Sequence, residues 1–243
     1  MKKEYIFILL AYVCMLFSPA IGTPLFKKFW EWGGASEREA ILNGYAYWSI
    51  FAFVATLFIV LWLLRKERPS NEDRLESEPK ASIGISIAWA IGGIFIALFA
   101  QNIAALIEQA IGVTAGSENT HFIMQMIKTI PLFVILTSII GPILEELVFR
   151  KIIFGTLYQK FNFFISALVS SLIFGLAHRE LSHILLYSAI GFTFAFLYVR
   201  TKRILVPIFA HVMMNTLVVV VQLKYEEIIK TIDQAQSFIG GLL

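Results

Sequence analysis

Apolar residues run in long blocks along this chain, and polar residues collect in the short gaps between them. A helix that crosses a bilayer needs about 20 mostly apolar residues. Tyr5 to Phe26, Ala40 to Leu64 and Ala81 to Ile107 are uncharged runs of that length. Pro131 opens a fourth segment that reaches Tyr158, and three more runs follow at Phe161 to Ala177, Ile184 to Val199 and Ile204 to Leu223. The pattern predicts an all-α, polytopic membrane bundle of seven transmembrane helices, or eight if a kink at Gly141-Pro142 splits the fourth. Lys2 and Lys3 precede the first run as they would a signal peptide, but the run reads as a retained span.

The gaps fit this layout. Lys27 to Glu39 carries Trp30 and Trp32, which suit a membrane interface. Arg65 to Lys80 is a charged loop, and Gly112 to Asn119 is a small-residue loop without lysine or arginine. From Lys224 onward charge and apolar residues alternate at helical spacing, with Glu226 and Lys230 four apart. That tail reads as an interfacial helix. The organisation expected is therefore 1–120 for the N-terminal membrane helices and charged loop, 121–223 for a membrane core that carries the chemistry, and 224–243 for the tail. No internal repeat is evident, so the inverted-repeat signature of many transporters is missing.

Composition narrows the class. The chain is 58% apolar and 15% charged, against about 45–50% and about 25% for soluble domains. Mean hydropathy is +0.76. A disordered chain, a disulfide scaffold and an ordinary cytosolic enzyme are excluded. Cys14 is the only cysteine, so no disulfide forms within the chain. The net charge of +3 comes from basic residues beside the spans, which points to membrane orientation rather than nucleic acid. Seven spans with the N-terminus in the cytoplasm put more basic residues inside than outside, as the positive-inside rule prefers.

The later spans hold ionisable groups. The fourth segment reads Gly141-Pro-Ile-Leu-Glu145-Glu146-Leu-Val-Phe-Arg150. Each acid or arginine at mid-membrane costs about 2.5–3.5 kcal/mol on insertion scales, so all three should face protein or a wet cavity. Glu146 and Arg150 share a helical face and can pair; Glu145 is turned about 100° away. One carboxylate can then be neutralised while the other stays available as a base. The alternative is a buried charge cluster that only holds helices together. His178 ends the fifth span, and His211 shares a face with Asn215 in the last. Imidazole and amide both offer donors for a developing oxyanion. His121 and His183 read as solvated or interfacial. A carboxylate that activates water, beside oxyanion donors, is the chemistry of amide hydrolysis. Ionisable groups along an ion-coupled transport path are the rival reading, although the N-terminal half supplies none.

Glu-Glu-x-x-x-Arg, Phe-x-x-x-His from Phe174 to His178, and His-x-x-x-Asn, each in its own apolar segment, resemble the pattern of the CPBP family. That family includes CAAX prenyl endopeptidases and bacteriocin-processing (Abi) proteins. The resemblance covers roughly Pro131 to Leu223. It implies an intramembrane endopeptidase of glutamate type: Glu145 as general base, His178 helping to hold the water, His211 and Asn215 as the oxyanion site, and Glu146, Arg150 and Phe174 in support. It implies no cofactor, or in a zinc-dependent version Glu145, His178 and His211 as ligands. A non-catalytic immunity or scaffold member is a further alternative. The partners implied are the lipid bilayer and a peptide or protein substrate, CAAX-like and lipidated or of pheromone or bacteriocin type, in a bacterial plasma membrane. Other intramembrane protease classes fail by inventory. The two aspartates, Asp73 and Asp233, lie outside the spans, and neither Gly-x-Ser-Gly nor His-Glu-x-x-His occurs.

Overall fold

The computed structural model describes residues 2–67 and 74–240, and every regular element among them is helical. Helices α1 (Lys3–Phe17) and α2 (Pro19–Trp32) meet at 49°. The run from Tyr5 to Phe26, expected as one uninterrupted helix, is broken there because Pro19 has no N–H to give the Met15 carbonyl and its ring crowds the preceding turn. Ser18 Oγ closes the break by donating to the Met15 carbonyl at 2.8 Å.

Helix α3 (Glu37–Arg65) starts with a capping box between Ser36 and Glu39. The short α4 (Arg74–Ser77) follows in the charged loop. Helix α5 (Ile83–Ala110) is capped by Ser82, and α6 (Glu118–Thr129) by Ser117. The fourth apolar segment is a helix of changing pitch. Helix α7 (Phe133–Ile135) passes into a π turn (Leu136–Ile140), then α8 (Gly141–Glu145), a π-helical stretch (Glu146–Phe154) and α9 (Gly155–Tyr158). Helix α10 (Phe163–Ala177) is capped by Asn162. A 3-10 turn (Leu181–His183) leads into α11 (Ile184–Thr201), and α12 runs over Leu205–Gly240. The backbone of the tail continues α12; the side chains of Glu226 and Lys230 lie outside the described residues.

Among the described residues, α3, α5, Leu181–Thr201 and Leu205–Tyr225 are long and apolar enough to cross a membrane, and the bent α1–α2 pair makes a fifth if it is one span. Helix α10 is apolar but only 15 residues long. Phe58, Phe95 and Phe99 stay exposed on α3 and α5, as expected for faces turned to lipid.

Helices α5 and α11 run antiparallel. The Ala81 N–H donates to the Thr201 carbonyl at one end, and Glu108 meets His183 at the other. Helices α10 and α11 approach closely through small residues: a Cβ on Gly191 would lie 3.0 Å from Ser171. Without a hydrophobic drive between helices in lipid, such small-residue contact is what brings them together. It sets the end of α10, and with it His178, beside α11.

Candidate active site

The site begins with Gly141-Pro142. Pro142 has no N–H to close a helical bond, and the turn before it widens to π pitch. Gly141 keeps that turn compact, because a Cβ there would lie 3.1 Å from the Leu136 carbonyl oxygen. In π register the Thr137 carbonyl would look to the nitrogen of Pro142 and find no proton. Asn215 on α12 supplies it instead, with Nδ2 donating to Thr137 O at 3.3 Å. The proline thus explains why Asn215 comes to this helix.

Glu145 and Glu146 diverge as their adjacency predicts. Glu146 and Arg150 are both fully buried, with Arg150 Nε 3.2 Å from Glu146 Oε2. The guanidinium carbon also lies 4.5 Å from the ring centre of Phe174 and 5.6 Å from that of Phe194. These rings offer their π faces where, among the described residues, Arg150 Nη1 and Nη2 have no acceptor. Glu146 Oε1 accepts a hydrogen bond from His211 Nδ1 at 2.9 Å. That bond sets the ring so that Nε2 faces Glu145, 3.7 Å from Oε2. Glu146 is therefore hydrogen-bonded through Oε1 and ion-paired through Oε2, while Glu145 is partly exposed to a cavity.

That cavity, about 370 Å³, is lined by Glu145, His178, His211 and Asn215 together. His178 Nδ1 donates to the Phe174 carbonyl at 2.9 Å. With that proton on Nδ1, a neutral ring keeps the lone pair of Nε2. Phe174 packs edge-on against both His178 and His211. The N-terminal third also contributes: Tyr12, Tyr45 and Ser49 line the same cavity. Sequence reasoning missed these three, since a tyrosine or serine in an apolar helix carries no signal of cost. Among the described residues, no three His, Cys, Asp or Glu side chains converge as a metal-ligand set. Glu145, His178 and His211, the zinc ligands implied by the resemblance, line the cavity but are not gathered into such a set.

The structure also overturns the expectation for one of the histidines. His183, read as solvated or interfacial, is buried against Glu108, which lies one residue beyond the third apolar run and is itself buried. Helix α5 extends past that run and carries Glu108 into the bundle. Exposed His121 matches its expectation. Beside this buried pair, Glu180 accepts from Ser117 Oγ, Tyr187 O–H and the Glu118 N–H. Burial pushes the Glu180 carboxyl up, but these bonds outweigh it and hold it below the usual carboxylate range. Glu67, in the charged loop, behaves alike: burial raises it, and Lys2, Tyr5 and Lys151 together bring it below.

Residues 127–217 match the family described as "Type II CAAX prenyl endopeptidase Rce1-like". Over the whole chain, 247 aligned residues are 52% identical to "Putative membrane peptidase YdiL" of Bacillus subtilis (strain 168), covering 100% of this chain and 99% of that one. The chain belongs to the Rce1-like CAAX protease family. "Membrane-embedded CAAX protease MroQ" of Staphylococcus aureus (strain USA300) is 34% identical over 240 residues, 95% of each chain. No solved structure matches. As a member of the Rce1-like family, the chain is an integral membrane protein of a peptidase class. The family match takes in Glu145 through Asn215 but stops short of Tyr12 and Glu108.

Proposed function

We propose that the protein is an intramembrane endopeptidase of glutamate type, working without a metal. The observation that carries the reading is the convergence of Glu145, His178, His211 and Asn215 on one cavity inside an apolar bundle. In this mechanism Glu145 takes a proton from a water that also donates to His178 Nε2. The water oxygen bonds to the scissile carbonyl carbon. Asn215 and, when its Nε2 carries a proton, His211 donate to the resulting oxyanion. Collapse breaks the C–N bond, and Glu145 passes its proton to the departing nitrogen, leaving one acid and one amine. Glu146 holds the His211 ring through Nδ1, and Arg150 balances the Glu146 charge.

The substrate in this reading is a membrane-associated peptide, CAAX-like and lipidated or of bacterial pheromone or bacteriocin type. Support comes from the apolar cavity wall, which includes Met15, Phe53, Phe133 and Met214, and from the name of the staphylococcal relative. Seven crossings are proposed, with α1–α2 as one, residues 133–158 as another, α10 as a short one, and the N-terminus in the cytoplasm of a bacterium. The excess of basic residues on the inner side supports that orientation.

The test compares peptides in membranes and medium from cells lacking the protein, complemented with wild type or Glu145→Gln at matched levels. Peptide ends that appear with wild type and not with the variant are expected, and purified protein should reproduce the cut. The same ends appearing with both would overturn Glu145 as base.

A further inference from the structure

A second group of polar side chains closes the end of the bundle beside the cavity. Glu108, on the last turn of α5, is 2% exposed. Its Oε2 accepts from His183 Nδ1 at 2.8 Å, and its Oε1 accepts from the Leu186 N–H at 2.9 Å. The other nitrogen of His183, Nε2, lies 3.0 Å from the carbonyl oxygen of Gly116. Gly116 turns that carbonyl inward from a backbone φ of +100°, a region open to glycine. Both partners of the ring are acceptors. A neutral imidazole has a single N–H and serves one of them; the imidazolium serves both.

The contacts continue to the proposed catalytic residues. Glu180 binds the start of α6 through Ser117 Oγ at 2.7 Å and the Glu118 N–H at 2.6 Å. It also accepts from Tyr187 O–H at 2.9 Å. The ring of Tyr187 stacks on His178, with centres 4.0 Å apart and planes at 23°. The charged groups that act on His183 are Glu108 from α5 and Glu180 from the connection after α10, and Tyr187 of α11 is bound to Glu180.

We propose that Glu108, His183 and Tyr187 are positioning residues of the peptidase site. A charged His183 clamps the loop before α6 and the first turn of α11 to α5. Tyr187, held there, fixes the plane of the His178 ring. The proposal rests on the reading of His178 as the residue that helps hold the attacking water. Loss of the His183 proton removes one of its two hydrogen bonds, so the clamp weakens as pH rises. His178 then loses its orientation, and the effect falls on kcat rather than KM.

The test uses the full chain in lipid nanodiscs with ring nitrogens of histidine labelled with 15N. The four histidines are assigned by single substitution, and spectra are followed from about pH 6 to about pH 9, where imidazoles titrate. Two protonated nitrogens on His183 at the acid end are expected, and a single Nδ1–H form of His178. Tyr187→Leu should split or broaden the His178 signals. It should also lower kcat about tenfold or more, with KM changed less than about twofold, because a small misplacement at a reacting centre is amplified in rate. His183→Gln, whose side chain does not titrate, should remove the alkaline fall in kcat. A neutral His183 throughout the range, or His178 signals unmoved by Tyr187→Leu, overturns the proposal. A protein that cleaves no peptide overturns the peptidase reading instead, and the spectra still judge the clamp.

Discussion

Two groups of polar side chains are buried or half-buried in this bundle, and they leave solvent by different routes. Glu145, Glu146, Arg150, His178, His211 and Asn215 sit in or at the ends of apolar runs, where each is costly unless it meets a partner. Glu108, Glu180 and His183 sit in or beside loops, where the sequence allows water. Only the packing of α5 against α11 takes Glu108 and His183 out of solvent. In the first group spacing announces the contacts: Glu146 pairs with Arg150 four residues on. In the second the partners are 75 residues apart for Glu108 and His183 and 63 for Ser117 and Glu180. The first group is built along helices and carries the proposed chemistry. The second is built between them and holds the end of α11 against the site.

The largest expected effect breaks the first group at its free carboxylate. Glu145→Gln keeps shape and hydrogen-bonding size but cannot take a proton. Cleavage should fall about 10²–10⁴-fold, the range for a lost general base. Thermal unfolding in detergent should stay at the wild-type midpoint, because Glu145 alone of the pair faces the cavity. Arg150→Ala attacks the same group through stability. It leaves the Glu146 carboxylate buried beside empty space, which costs about 3–5 kcal/mol for a broken buried pair. A lower yield and a lower unfolding midpoint are expected, and a wild-type midpoint would refute the pairing. Asn215→Ala falls between chemistry and fold. It removes a proposed oxyanion donor, worth about 10²–10³ in kcat, and uncaps the Thr137 carbonyl. Steady-state kinetics should show the loss in kcat, with a small drop in midpoint.

These contrasts also mark how far the sequence could be read. The all-helical fold and the meeting of Glu145, His178, His211 and Asn215 were legible because membrane burial makes each polar residue expensive. The shared face of His211 and Asn215 follows from their spacing of four. That Nδ1 of His211 would go to Glu146, leaving Nε2 toward Glu145, was not legible, since ring orientation depends on where three helices cross. The break at Ser18-Pro19 carried a signal in the proline. Glu108 carried a weaker one: it stands one residue past an apolar run, and a helix that overshoots by a single turn buries it. His183 carried none, because its partners come from α5 and from the loop around Gly116.

The smallest effect sharpens the comparison at the second group from the acid side. Glu180 is held below the usual carboxylate range by three donors. A carboxylate with a lowered folded-state pKa stabilises the fold above its unfolded value, about 4.3. That contribution is lost as pH falls through the lower folded value. Glu180 is only partly buried, so solvent screening keeps the contribution to about 1 kcal/mol or less. Glu180→Gln should therefore lower the unfolding midpoint slightly near pH 7, and the gap to wild type should close as pH falls below about 4. Cleavage near pH 7 should fall modestly through loosened Tyr187, far less than in Glu145→Gln. A gap in midpoint that persists unchanged in acid would mean that the size of the Glu180 side chain, and not its charge, holds the start of α6 to α11.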